Sequence, residues 1–255
     1  MAIITITTDL GLKDHYVSSI KGAILSRLPG VTIIDISHQI PTYNIQDAAY
    51  ILKNAYPNFP KGTIHLIGVK SEQSNQSSHV IVYADGHYFI SSDNGVYSLL
   101  LDVNIDKIIE LPSTVSTFPT KDVFALVAIQ LASGATMESL GKPKDNLLER
   151  MPFRAASMGD TIRGTIEYID SYGNVMCNVS ETLFNQVGKG REFKIEFARA
   201  RYEIGKISKT YSDVPEGEIL ALFNSANQLE IAMNSDRANS MLGLKLNDSI
   251  TIHFQ

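Results

Sequence analysis

The stretch from Ile3 to Ile24 constrains this chain most. Ile3-Ile4-Thr5-Ile6-Thr7-Thr8 is β-branched throughout and too short for a helix, which predicts a strand buried on both faces. Asp9-Leu10-Gly11-Leu12-Lys13-Asp14 reads as a tight acidic turn. From Tyr16 the apolar residues Val17, Ile20, Ala23, Ile24 and Leu28 recur at helical spacing until Pro29-Gly30 stops the run. In open α/β sheets, ligands bind beyond the carboxyl ends of such strands, which is where Asp9 stands.

An acid at that position has three chemical readings. An aspartyl nucleophile for phosphoryl transfer wants a second Asp two residues on, where this chain has Gly11. A metal phosphatase wants further hard oxygen ligands close by, and the strand end offers one. A carboxylate accepting two hydrogen bonds from a ribose diol needs neither. The plain structural alternative is a turn or helix-capping acid, the role expected of Asp14 just before the helical run.

The first half continues as alternating strands and helices. Val31 to Ile36 is a second apolar strand, ending at Ser37-His38-Gln39, and Tyr43 to Tyr56 is helical, with Ile45, Ala48, Ala49 and Leu52 on one face and Asn44 as its cap. Thr63 to Val69 is a third buried strand, followed by a polar loop from Lys70 to Ser78. Val80 to Tyr83 and Tyr88 to Ile90 face each other across Asp85-Gly86, a hairpin signal. Asp93-Asn94-Gly95 turns into a short apolar helix, and Thr117 to Asp122 precedes a helix from Val123 to Ser133 that ends at Gly134. This order predicts a mostly parallel sheet flanked by helices.

Near Pro143 to Gly159 the character changes. Gly164 to Ile169, Val175 to Val179, Phe193 to Phe197, Ile219 to Phe223, Leu229 to Ala232 and Ser249 to Phe254 are strand-like and separated by turns, which predicts a smaller antiparallel, barrel-like domain. The boundary is expected near residue 157, giving an α/β domain at 1–156 and a β domain at 157–255.

Composition removes several function classes. A net charge of −5 with no basic run gives no electrostatic footprint for nucleic acid. No apolar stretch is long enough to span a bilayer, Met1-Ala2 runs straight into the first strand, and a cytoplasmic protein is expected. The single cysteine, Cys177, lies in an apolar strand and reads as a core thiol. His38 follows the second strand, within reach of the pocket region, and is expected, like the other histidines, at a surface or turn. His15, His65, His79, His87 and His253 lack metal-ligand spacing, are expected at surfaces or turns, and no metal is expected.

Thr7-Thr8-Asp9-Leu10-Gly11-Leu12-Lys13-Asp14 with Lys21-Gly22, Asp35-Ile36-Ser37-His38, Phe59-Pro60-Lys61-Gly62-Thr63, Asp93-Asn94-Gly95, Ile169 to Val175 with Asn178, and Phe223 to Asn234 form an ordered set. Taken together they resemble the S-adenosyl-L-methionine (SAM) hydroxide adenosyltransferase family, which also contains fluorinase and chlorinase enzymes. The resemblance spans essentially the whole chain. It implies a homotrimer with its small-molecule site at a subunit interface, and displacement of methionine from SAM at the ribose C5′ carbon by a water-derived hydroxide or a halide. It implies no metal and no separate organic cofactor.

Residue by residue, Asp9 matches the family acid that grips the ribose hydroxyls. Tyr43 matches an aromatic near the ribose and methionine, and Phe118 one lining the same pocket. Asp170, Tyr172 and Asn174 match second-domain residues that hold the methionine end and the adenine, and Ser225 lies where a backbone or hydroxyl contact is expected. Taken singly, Tyr172-Gly173-Asn174 reads equally as a hairpin turn, and Tyr43 and Phe118 as core aromatics.

The chain departs from the hydrolytic members at the residues thought to position and activate water. Lys70 stands where those members have Asp, Ser77 or Ser78 near their Arg, and Pro119 in place of their His. Three consequences follow as alternatives. The protein cleaves SAM with a nucleophile held by other groups, Thr120 standing where halogenating relatives keep a small residue near the halide. Or it is a non-catalytic SAM or adenosine binder. Or Lys70 has changed the ligand to an anionic adenosine derivative, since an ammonium repels a sulfonium by roughly a few kcal/mol at intermediate dielectric.

Overall fold

The computed structural model describes residues 2–74, 76–151, 153–197 and 202–255; Asn75, in the expected polar loop, lies outside the described residues. The chain divides into two compact units, 1–152 and 153–255.

Unit 1 opens with β1 (Ile3–Thr8), α1 (Tyr16–Leu25), β2 (Thr32–Ser37), α2 (Ile45–Ala55) and β3 (Ile64–Gly68). It continues with β4 (His79–Ala84), β5 (His87–Ser92), α3 (Val96–Leu100), β6 (Ile105–Glu110), α4 (Ala125–Ala132) and β7 (Lys142–Pro143). The sheet order is β2-β1-β3-β5-β4-β6-β7. Its first four strands run parallel, and β4, β6 and β7 continue it antiparallel. Ile4, Ile6 and Leu66 of β1 and β3 pack with Ile20 and Ile24 of α1, all at 0% exposure. Each such burial is worth roughly 1.5–3 kcal/mol, enough to hold β1 at the centre. The opposite face buries Ala48, Ala49 and Leu52 of α2 against Ile67 and Phe89.

Local chemistry sets the boundaries. Asn44 caps α2, its Oδ1 accepting the Gln46 and Asp47 amides at 3.0 and 3.1 Å. Asp85 and Gly86 both have positive φ, as the expected hairpin turn requires. Three expectations are corrected. Asp14 does not cap α1: His15, whose backbone is already helical, takes the N-cap position before Tyr16, and Asp14 is left exposed ahead of it. The helix expected from Val123 starts earlier, in a wide π-helical turn over Thr120–Phe124, because Pro119 takes the entry position and the Phe118 carbonyl accepts the Lys121 and Asp122 amides. His65, His79 and His87 are not surface or turn residues but fully buried. Polar neighbours meet both ring nitrogens of His65 and one each of the other two: Thr5 Oγ1 meets His65 Nδ1 at 2.7 Å, His65 Nε2 meets His87 Nδ1 at 3.2 Å, and His79 Nε2 donates to the Ser71 carbonyl at 2.9 Å, while His79 Nδ1 and His87 Nε2 are buried without a partner.

Unit 2 comprises β8 (Ala156–Met158), β9 (Thr161–Ile169), β10 (Val175–Ser180), α5 (Glu181–Gly188), β11 (Phe193–Phe197) and β12 (Glu203–Ile204). After these come β13 (Ile219–Phe223), β14 (Gln228–Met233), α6 (Ala238–Met241) and β15 (Ser249–Phe254). The path β12-β11-β15-β9-β10-β14-β13 is antiparallel throughout, with β8 beside β9. An Ile207–Ala221 bridge joins the chain just after β12 to β13, so the two ends of the sheet meet and the sheet is nearly closed. The alternating apolar residues Ile162, Ile166, Cys177, Val179, Ile231, Ile250 and Ile252 fill its interior, with α5 adding Phe184.

Candidate functional site

At the carboxyl ends of β1 and β3 the structure brings together Asp9, Tyr43 and Lys70, with Thr120 against Gly68 and Ser71 at the end of β3; Phe118 lies against Tyr16. Gly11, at φ +67, donates its amide to the His38 carbonyl at 2.8 Å and closes the turn that presents Asp9. Asp9 Oδ2 accepts the Tyr43 backbone N–H at 2.8 Å, and the Lys70 backbone N–H also points at this carboxylate. Tyr43 (φ 63) and Lys70 (φ 48) are both left-handed, a conformation that costs a non-glycine residue about 1–2 kcal/mol. Strain of this kind concentrates at functional sites. Burial pushes the Asp9 carboxyl above its ordinary range, against the lowering effect of these amides, and Glu72 adds to the rise. With four lone-pair sites, the carboxylate keeps capacity to accept from a ligand.

Tyr43 is exposed, so it is not a core aromatic. Lys70 meets Asp9 through its amide; its side chain is exposed, and among the described residues its ammonium makes no ion pair. Thr120 is 1% exposed, and its hydroxyl donates to Ser71 Oγ at 3.4 Å. It fits only because position 68 is glycine: a Cβ there would lie 2.5 Å from Thr120 Oγ1. Phe118 is half-buried, edge-on to Tyr16 at 5.4 Å.

His38 is 4% exposed and ties this corner together. Its Nδ1 meets Thr8 Oγ1 at 2.7 Å and its Nε2 meets Asp35 Oδ1 at 3.1 Å, while Lys21 holds Asp35 Oδ2 at 2.6 Å. Burial opposes the Asp35 charge, but the bonds from Lys21 and His38 outweigh it and hold the carboxyl below its usual range. Sequence reading missed Tyr16, Ser71 and the partners of His38; only the strand-end position of His38 signalled it. The Ser78 hydroxyl, near the expected Arg position, instead accepts from Lys144, whose ammonium also pairs with buried Asp93 at 2.7 Å. Among the described residues no cluster of His, Cys, Asp and Glu is arranged to hold a metal ion, and no helix is long and apolar enough to cross a membrane.

Unit 2 carries a cleft of about 750 Å³ lined by Asp170, Tyr172 and Asn174 together with Tyr211, Met233 and Arg237. Asp170 accepts the Asn174 amide at 2.9 Å and its side-chain nitrogen at 3.3 Å, folding the turn back on itself. Gly173 is required there: its φ is +86, and a Cβ would meet Asn239 Oδ1 at 2.6 Å. Tyr172 is left 77% exposed, facing the cleft. Arg237 bonds the Ser171 carbonyl at 2.9 Å. Ser225 is not part of this group. It is exposed on the β13–β14 turn, at the opposite end of β14 from Met233 and the cleft. Sequence reading missed Tyr211 and Arg237, which no local motif singles out.

Two family models match the chain, the SAM hydroxide adenosyltransferase N-terminal domain over residues 4–141 and its C-terminal domain over 164–251. An (R)-S-adenosyl-L-methionine hydrolase of Methanocaldococcus jannaschii is 29% identical, the match covering 98% of this chain and 95% of that protein. One from Thermus thermophilus is 30% identical over 93% of this chain and 94% of its own length. A fluorinase of an Actinoplanes species is 23% identical, with 98% and 97% covered. The crystal structure of an uncharacterized conserved protein from Thermotoga maritima superposes with a TM-score of 0.90 at 27% identity, covering 99% of this chain and all of that one.

Proposed function

The chain belongs to the SAM hydroxide adenosyltransferase family, and we propose on that footing that it binds SAM through its adenosine moiety and displaces methionine at the ribose C5′ carbon. The observation that carries this reading is the Asp9 carboxylate, held at the carboxyl end of the central strand by the amide of left-handed Tyr43, with the amide of left-handed Lys70 also favouring its charge. A carboxylate fixed in this way can accept two hydroxyl hydrogen bonds from a ribose diol without reorganising. Asp170, Tyr172 and Asn174 supply ligand contacts on unit 2.

In the reaction a lone pair of water or halide forms the bond to C5′ as the C5′–S bond breaks. The bonding pair returns to sulfur, which leaves as the neutral thioether of methionine; when water attacks, one proton is released. A sulfonium is already a good leaving group, so alignment behind C5′ and removal of the nucleophile's water supply the rate. Thr120, buried beside Ser71, is the group proposed to hold the nucleophile where Lys70, Ser77 or Ser78, and Pro119 replace the hydrolytic set. No metal or organic cofactor takes part, and the working form is a homotrimer.

One observation favours a second reading: Lys70, whose backbone amide acts on Asp9, has an exposed side chain whose ammonium makes no ion pair among the described residues, and a cation free in this way suits an anionic adenosine derivative. Calorimetric titration with SAM, adenosine and adenosine 5′-monophosphate separates the two. SAM or adenosine binding more tightly than the monophosphate supports the first reading, and the reverse order, abolished by Lys70→Ala, supports the second. Sedimentation equilibrium tests the trimer.

A further inference from the structure

Glu230, on the outer face of β14, is 2% exposed. Among the described residues no lysine, arginine or histidine pairs with it. A carboxylate so placed is costly unless hydrogen bonds satisfy it. The Tyr211 hydroxyl does so, donating to Glu230 Oε1 at 2.8 Å, and the Asn224 side chain also favours the charged form. The Tyr211 ring itself is 44% exposed and forms part of the wall of the unit 2 cleft. A phenol has two side-chain torsions, and its far end is tied here to a group that no ligand in the cleft needs to touch.

We propose that Glu230 is a positioning residue for the ligand site: by anchoring the Tyr211 hydroxyl from beneath, it locks the phenol ring in the cleft wall in the orientation that receives a nucleoside. The proposal rests on the reading of the cleft as part of an adenosine site. It goes beyond that reading by assigning the fit of the site to a carboxylate outside the cleft. The ordering of Tyr211 is completed when the chain folds rather than when the ligand arrives, so binding is spared that cost.

The test is adenosine titration of the full chain by calorimetry, alongside thermal melts. Tyr211→Phe and Glu230→Leu each weaken adenosine by about 2- to 10-fold, the span expected when one side chain must be ordered on binding. Glu230→Gln, which keeps an acceptor for the hydroxyl, recovers most of the loss. Glu230→Leu also removes a buried charge, so its Tm is equal to or above that of the wild type while its affinity falls, a divergence that a purely structural role does not produce. Wild-type affinity in Glu230→Leu or Tyr211→Phe overturns the proposal. A wild-type protein that binds neither adenosine nor SAM overturns the parent reading, and this one with it.

Discussion

Asp9 and Tyr43 are joined by a backbone N–H to carboxylate hydrogen bond of 2.8 Å, made by a tyrosine whose φ of 63 places it in the left-handed region. The strain on one residue is thereby coupled to the charge on the other. The Lys70 amide acts on the same carboxylate in the same direction, though more weakly.

The first prediction separates stability from binding. Burial raises the Asp9 carboxyl, so its ionised form is less favourable in the folded chain than in the unfolded one, and stability is lost as pH rises through the raised value. Asp9→Asn keeps an acceptor for Tyr43 and removes that cost, so its Tm at neutral pH equals or exceeds the wild type. Its affinity for adenosine falls about 10- to 100-fold, the equivalent of a lost hydrogen bond to a charged group. Melts and titrations of one preparation check both halves.

Ligand binding should also show the Asp9 titration. The proposed grip needs the carboxylate, so affinity is full at neutral pH and falls as pH drops through a value above the ordinary aspartate range. Titrations between pH 7 and about 4 read this directly.

His65 gives the fold an acid sensitivity of its own. Burial holds its pKa down to about 3, and the neighbouring His87 adds to the effect. The unfolded chain therefore takes up a proton that the folded chain refuses. The stability this confers is present above the unfolded value near 6.5 and is lost as pH falls from there toward 3, at up to about 1.4 kcal/mol per pH unit. Urea denaturation between pH 7 and 5 should show a shallower slope in His65→Gln.

Gly68 and Thr120 predict a packing defect that can be rescued. Gly68→Ala places a methyl group 2.5 Å from Thr120 Oγ1 and 2.6 Å from its Cγ2, and overpacking of this kind costs about 1–3 kcal/mol. Gly68→Ala combined with Thr120→Ala should regain most of the loss in urea denaturation.

Cys177 should be inert. It is fully buried, and burial, reinforced by Glu230 and Glu167, pushes the thiol well above its ordinary pKa. A thiol reagent should label the native protein only as fast as it unfolds, and the denatured protein at once.

Much of this was legible because local signals and global packing agree. β1 is β-branched and buried on both faces, Asn44 caps α2, and Asp85-Gly86 turns the hairpin, each through chemistry contained in a few adjacent residues. Asp9 was legible from its place at a strand end. What sequence reading lost depended on distant partners. His65, His79 and His87 carry no local mark of burial, because the polar groups that do meet them come from Thr5, Ser71 and one another. β6 was passed over because Asp106 and Lys107 break its apolar pattern. Tyr211 is recruited to the cleft by Glu230, nineteen positions away. Ser225 and Met233 belong to neighbouring segments of sequence, yet they lie at opposite ends of β14.

The central claim is displacement at C5′, and one measurement tests it most directly: the protein is incubated with SAM in water enriched in heavy oxygen, with and without chloride or fluoride, and the products are separated and weighed by mass spectrometry. The account predicts methionine released in step with adenosine carrying the heavy oxygen at its 5′ position, or with the matching 5′-halo product. Intact SAM after long incubation with a protein shown by calorimetry to be saturated would contradict it.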